Sequence, residues 1–280
     1  VFHKRYVLFA LGSTVVLAPL EAQQLLAPRA THGRTVTPVF EGWYRNPDGT
    51  FSLSFGYYNR NTQEVVEIPI GQDNLLSLGE LPPSQPTRFH PGRHWGIFAI
   101  MVPHDFSPTR RVVWTLKNRG ETFAIPGSLH PDWEIDALEG EASAGNTPPR
   151  LRFIPNGPEG RGPGGHSHGP LEARVEQPLE LNVWVEDDGK GASNVVARQP
   201  DGAPVTLTWF KHQGPPGEVT FSTGTARVAS NNGTMRTTAT FATPGDYVLR
   251  VRANDASGVT SGGHAQCCWT NGFVRVTVKP

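Results

Sequence analysis

The stretch with the most unusual chemistry lies between residues 257 and 272. It holds His264, the adjacent pair Cys267 and Cys268, then Trp269 and Asn271, with glycines at 258, 262, 263 and 272. The chain has no other cysteine, so no disulfide framework is available to it. On a regular strand, neighbouring side chains point to opposite faces and cannot bond each other. Consecutive Cα atoms stand about 3.8 Å apart across a trans peptide, short of the usual window of about 4.4–6.8 Å for a disulfide. A Cys267–Cys268 bond would therefore interrupt the strand and stiffen the loop. Export would favour that oxidation. Reduced cysteines, a cross-link to a second chain, and a soft-ligand copper or zinc site with His264 stay open beside it. Trp269 reads either as a plug under the loop or as a contact residue at its tip; His264 and Asn271 are its companions as binding candidates.

Other residue groups offer weaker chemistry. His166 and His168 are two apart within a glycine-rich stretch and could chelate a transition metal, although flexible glycine around them argues against a preformed site. Asp187 and Asp188 follow one apolar alternating run, and Asn254 and Asp255 follow another. If both turns lie at one end of the fold, hard oxygen ligands would converge there, which suits calcium; ordinary turn chemistry of Asp and Asn is the plainer reading. Asp132, Glu134 and Asp136 alternate around Trp133, but acid–base work by paired carboxylates needs a cleft that the sequence does not show. There is no Gly-x-Ser-x-Gly elbow, no phosphate loop and no His-Glu-x-x-His spacing. The chain therefore reads as non-catalytic.

These residues need elements to position them, and the apolar pattern supplies strands. Phe51, Leu53 and Phe55 alternate after the turn Asn46-Pro47-Asp48-Gly49, preceded by a run with Val39, Phe40, Trp43 and Tyr44, which gives a hairpin. Residues 95–102 are apolar on both faces, as in a buried strand. Residues 111–116 and 121–125 flank a second turn at Lys117-Asn118-Arg119-Gly120. Further on, Leu179, Leu181, Val183 and Val185 share one face, as do Tyr247, Leu249 and Val251, and then Val274, Val276 and Val278. Runs at 205–210, 219–221 and 235–241 complete the strands that an immunoglobulin-like sandwich requires. No segment keeps a helical period.

Residues 171–280 resemble the polycystic-kidney-disease (PKD) type of immunoglobulin-like domain, found in many secreted bacterial proteins. The likeness rests on Thr243-Pro244-Gly245-Asp246-Tyr247-Val248-Leu249-Arg250-Val251, on Ala253-Asn254-Asp255-Ala256-Ser257-Gly258 after it, and on the strand tryptophan Trp209. Where that family carries Trp-Asp-Phe-Gly-Asp-Gly, this chain has Trp209-Phe210-Lys211-His212-Gln213-Gly214. The resemblance implies a fold rather than an activity.

The expected organisation follows. Residues 1–22 read as a secretory signal: His3, Lys4 and Arg5 precede a mostly apolar stretch, with cleavage near Ala22 or Ala18. An uncleaved N-terminal anchor is the alternative, and only then would a membrane be a partner. Residues 23–35 form a tether, 36–138 a β-sandwich, 139–170 a Gly/Pro-rich linker, and 171–280 the PKD-like sandwich. The fold class is all-β. Lys and Arg number 25 and Asp and Glu 25, so the formal charge is zero, which removes the electrostatic case for a nucleic-acid partner. The expected function is a secreted binding or structural protein that holds a partner protein or a glycan at the cell surface or in the periplasm. It needs no cofactor, calcium excepted. Two other readings stand beside it: an accessory subunit of a cell-envelope complex, and a metal- or redox-linked enzyme centred on Cys267 and Cys268.

Overall fold

The computed structural model describes residues 30–77, 83–139, 145–190, 204–257 and 264–280. The expected signal, residues 1–22, and part of the expected tether lie outside them. The described chain is all-β: strands β1–β18 and a single short 3-10 turn, with no longer helix. No helix among the described residues is long and apolar enough to cross a membrane.

The first unit is built from β1 (Val36–Arg45), β2 (Phe51–Asn59), β3 (Val66–Glu67), β4 (Asn74–Leu76), β5 (Arg88–Phe89), β6 (Gly92–Val102), β7 (Val112–Asn118) and β8 (Glu121–Gly127). One sheet has the order β1-β2-β6 and another β4-β7-β8, with β3 paired to β5. The expected hairpin is β1 with β2, in which Trp43 faces Leu53 in the pairing register. Leu53, Phe55, Phe98, Trp114 and Leu116 fill the space between the sheets. Phe55 stacks on Phe98 and meets Trp114 edge-on, the geometries that aromatic quadrupoles favour.

The second unit is a sandwich of two five-stranded sheets. Its strands are β9 (Arg150–Arg152), β10 (Glu159–Gly160), β11 (His166–Arg174), β12 (Leu179–Glu186), β13 (Val205–Gln213), β14 (Val219–Phe221), β15 (Thr225–Val228), β16 (Gly233–Phe241), β17 (Gly245–Asn254) and β18 (Trp269–Lys279). The sheets run β10-β9-β12-β16-β14 and β11-β18-β17-β13-β15. The alternating sets Leu181, Val183, Val185; Tyr247, Leu249, Val251; and Val274, Val276, Val278 all enter one core. Trp209 lies in that core and stacks on Phe221. The Tyr247 hydroxyl donates to the Thr243 carbonyl at 2.8 Å, four residues upstream, as in the tyrosine corner of immunoglobulin-like sandwiches.

Over its described residues 145–170, the Gly/Pro-rich stretch is not a loose linker. It carries β9, β10 and the start of β11, which belong to the sheets of the second sandwich. Leu151 and Phe153 point into the core with Arg152 between them. Its glycines serve close packing: a Cβ on Gly165, whose φ is +54°, would stand 1.6 Å from the Asn271 carbonyl oxygen. Only a residue without a side chain fits there.

The two units meet over a broad junction. The Thr87 N–H donates to the His212 carbonyl at 2.8 Å, the Lys211 ammonium reaches Glu67 at 3.3 Å, and Arg88 bridges Glu67 and Glu218 at 2.5 Å each. Ser52 and Ser54 are the polar positions of β2 that strand alternation would turn to water. Both are buried, because the glycine-rich stretch and Trp269 of the second unit cover that face: Gly164 stands within reach of Ser52 and Gly96 lies between Ser54 and Trp269.

Candidate functional site

The Cys267–Cys268 disulfide is present. The two Cα atoms are 3.2 Å apart across a cis peptide, and the sulfurs are buried, with the residues 2% and 0% exposed. Both sulfurs face the Asn146 carbonyl, at 3.8 and 3.7 Å. Bonded to each other, they offer no thiolate for copper or zinc. His264 points elsewhere: its Nδ1 lies 2.5 Å from the Glu134 carbonyl, and its own carbonyl accepts from the Asp136 N–H. The soft-ligand set of His264, Cys267 and Cys268 is therefore not assembled.

Two expected contact residues are structural instead. Trp269 is 1% exposed, and its indole Nε1 donates to the Gly96 carbonyl at 3.1 Å. Asn271 is 0% exposed; its Nδ2 donates to the carbonyls of Gly96 and Pro163, and its Oδ1 accepts from Arg250 at 2.9 Å. The described part of this segment, residues 264–272, is a joint between the units. It is covered by β1 and β6, and Gln266 donates to the Glu41 carbonyl at 2.7 Å. His166 and His168 sit on β11, on the face that meets Phe153, with His168 stacked on the ring at 5.6 Å and His166 at 6.4 Å. Burial first, then His168, holds the His166 pKa below the ordinary imidazole value.

His264 alone of the expected binding residues reaches a concave surface, and what surrounds it was not singled out together from sequence. The 3-10 turn Pro131–Trp133 is fixed by the proline at its start and by its cap: the Asp132 N–H points at His130 Nδ1, and the Trp133 N–H donates to the His130 carbonyl. The His130 carbonyl also accepts from the Trp43 indole at 2.7 Å, and the Ile135 N–H donates to the Trp43 carbonyl. The turn is thus tied to β1 on both sides. It holds Trp133 51% exposed, with one face tilted against Phe40 at 5.9 Å.

Concave ground lies on either side of that indole. One hollow, about 580 Å³, has a largely apolar wall with Val39, Phe40, Ile125 and Pro126, and carries Arg111, Ser128, His130 and Asp132. The other, about 350 Å³, is lined by Glu41, Arg93, Trp95, Asp132, His264 and Gln266 among others. Arg93 lies flat over Trp95 at 3.7 Å and pairs with Glu41 at 2.7 Å. Burial raises the Glu41 pKa, and Arg93 and the Gly96 N–H oppose it. With Arg93 and the Gly96 N–H on its two oxygens, Glu41 is a braced carboxylate rather than a free acid. Among the described residues no Ser, Thr or Cys side chain hydrogen-bonds a histidine ring, so no nucleophile–base pair is assembled. The groove presents a fixed aromatic plate with planar polar groups beside it.

No protein-family model and no curated protein matches the chain. Among solved structures it is similar to the D0-D1 domain of intimin, at 12% identity and a TM-score of 0.27, covering 87% of this chain and 97% of that one. It is also similar to PapD-like domain 7 of human CEP192, at 10% identity and a TM-score of 0.28, over 48% of this chain and 87% of that one. Domains 4 and 5 of the S-layer protein SbsC give 10% identity and a TM-score of 0.23, over 75% and 79%.

The acidic residues do converge. Asp187 and Asp188 follow β12, and Asp255 follows β17 in the opposite sheet. The segment before β9 joins them: Asn146 Nδ2 donates to Asp255 at 2.6 Å, and Thr147 donates twice to Asp188 at 3.1 Å. Burial, and then the neighbouring Asp255 and Asp188 carboxylates, push the Asp187 pKa up to about 7. Burial also raises that of Asp255. Asn254 stays apart: it follows the buried Ala253 on β17, so its side chain takes the opposite face. Among the described residues no three His, Cys, Asp or Glu side chains close on one point to hold a metal by themselves.

Proposed function

We propose that this chain is a secreted, non-catalytic binding protein that holds a glycan in the groove around Trp133. The observation that carries the proposal is the half-exposed Trp133 indole, locked to β1 by its 3-10 turn and standing between two hollows. An aromatic plate receives the C–H face of a pyranose ring, and planar groups such as Arg111, Asp132 and His264 beside it match its hydroxyls in pairs. A preformed site with few converging polar groups is what small-ligand recognition needs. Zero formal charge favours a neutral or mixed glycan over a polyanion. The PKD-type reading of residues 171–280 belongs to the same proposal, supported by Trp209 in the core and the Tyr247 corner. So does export, supported by the basic-then-apolar start of the sequence and by the oxidised cysteine pair.

A glycan array probed with the full chain tests this. Binding of one or more neutral oligosaccharides, absent from the Trp133→Ala variant, supports it. Absence of any glycan binding, together with capture of an envelope protein that is lost in Trp133→Ala, would favour the accessory-subunit reading.

A further inference from the structure

The acidic end of the second sandwich is unused by the glycan groove and has an unmet demand of its own. Asp187 Oδ2 accepts from the Gly189 N–H at 3.0 Å, but its Oδ1 is buried and accepts nothing among the described residues. Across the sandwich, Asp255 accepts from Asn146 and, through its other oxygen, from Ser257. Asn146 is 0% exposed, and its Oδ1 also lacks any donor. Two oxygens, one on Asp187 and one on the amide that donates to Asp255, are thus shut from water. Lys190, at the same end, does not answer them. It reaches the Gly145 carbonyl at 2.9 Å and lies 3.9 Å from Asp188, the outer acid, whose pair is solvent-facing. Neither Asp187 nor Asp255 has a salt-bridge partner among the described residues. Buried polar atoms are seldom left without partners in a folded protein, and each such atom calls for an explanation.

We propose that Asp187, Asp255 and the Asn146 amide oxygen form a calcium site at this end of the second sandwich. The donors are all oxygen, which excludes the soft metals that select imidazole and thiolate. Calcium accepts six to eight oxygens in irregular arrangements and fills the remainder with water; magnesium demands near-ideal octahedral geometry and dehydrates reluctantly. Two carboxylates and an amide make a lean site, so the affinity belongs to the class of about 10⁻⁴–10⁻³ M seen in extracellular modules. The site joins the residues directly after β12 and β17 to the segment before β9. Bound calcium would therefore tie the two sheets at the end where the Cys267–Cys268 pair packs on Asn146.

The test uses the full chain, with calcium chloride as the probe. Isothermal titration should show one calcium per chain, and about 5 mM calcium should raise Tm by about 2–4 °C, with little response to equal magnesium. Asp187→Asn keeps the shape and removes the charge, and should weaken binding at least about 10-fold and abolish the Tm shift. Should that variant fail to fold, Asn146→Asp serves instead: a third carboxylate there should lower Tm in chelator and have the loss restored by calcium. No calcium heat or Tm shift in the wild-type chain would overturn the proposal. So would a calcium response that survives Asp187→Asn, or an Asn146→Asp variant that calcium fails to restore.

Discussion

Trp269 and Gly96 close on each other across the junction between the two units. The indole Nε1 donates to the Gly96 carbonyl at 3.1 Å, and a Cβ on Gly96 would stand 2.4 Å from the indole Cζ2. With φ at +42°, Gly96 also holds a left-handed conformation that other residues adopt at a cost. Gly96→Ala should therefore destabilise the chain by about 2–4 kcal/mol, read as a fall in the urea midpoint. A loss below about 0.5 kcal/mol, the range of a neutral surface change, would mean that the indole is not seated there.

The same contact predicts cooperativity. Trp269→Ala removes a fully buried side chain, at about 3–5 kcal/mol, and unties one unit from the other. The wild-type chain should unfold in one transition, and the variant in two that separate by near-ultraviolet and far-ultraviolet circular dichroism. One unchanged transition in the variant would show that the junction is held elsewhere.

The junction also sets a pH dependence. Burial holds His90 at a pKa of about 4, and His94 and His212 at about 3, with Arg88, Arg250 and Arg252 adding to one or another and Glu218 opposing at His90. Each folded value lies below the unfolded value near 6.5. The stability they contribute is complete above pH 6.5 and is lost as pH falls from there toward 3–4, because the unfolded chain takes up the protons first. Asp187 runs the other way: its folded pKa of about 7 lies above its ordinary 3.8, so its share is lost as pH rises from about 4 through 7. Asp255 and Glu41, also raised by burial, oppose together with Asp187, but four lowered histidines, His166 among them, outnumber these three carboxylates, so net stability should fall on acidification through pH 6 to 4. His212→Gln, which still offers a donor to the Ser84 carbonyl, should reduce that slope by up to about 1.4 kcal/mol per pH unit. Stability flat across pH 6 to 4 in the wild-type chain would contradict the burial of these rings.

Burial likewise governs the cysteines. With both residues almost fully covered and Asn146 over both sulfurs, a mild reductant followed by an alkylating reagent should leave the native chain unlabelled and label it twice in urea. Intact-mass measurement reads the difference. Labelling at equal rates in both conditions would place the pair at the surface.

Much of this architecture was legible in the sequence. Alternation at Leu53 and Phe55, at Leu181 to Val185 and at Val274 to Val278 names core residues correctly, because a period of two has a single structural meaning when one face is buried. Composition misleads at 139–170. Glycine there answers to close backbone approach, as at Gly165 against Asn271, and a glycine needed for packing looks the same in sequence as one in a flexible tether. The one signal was Leu151 and Phe153, two apart around Arg152. Ser52 and Ser54 read as solvent-facing because a one-unit pattern carries no record of a second unit packed against it. For the same reason the sequence leaves Trp269 open between a plug and a contact residue and does not single out Trp133: burial at Trp269 is decided by Gly96, more than a hundred positions away. The acid cluster was legible only as two turns, and its third contributor, Asn146, lies in the stretch whose composition hid its structure.

Titration calorimetry of the best array glycan against the wild-type chain and Trp133→Ala tests the central claim most directly. Since Trp133 is half exposed, the variant should keep its Tm. The account predicts that it binds at least about 10-fold more weakly, as loss of an aromatic anchor entails. Equal affinity in the two proteins would contradict it.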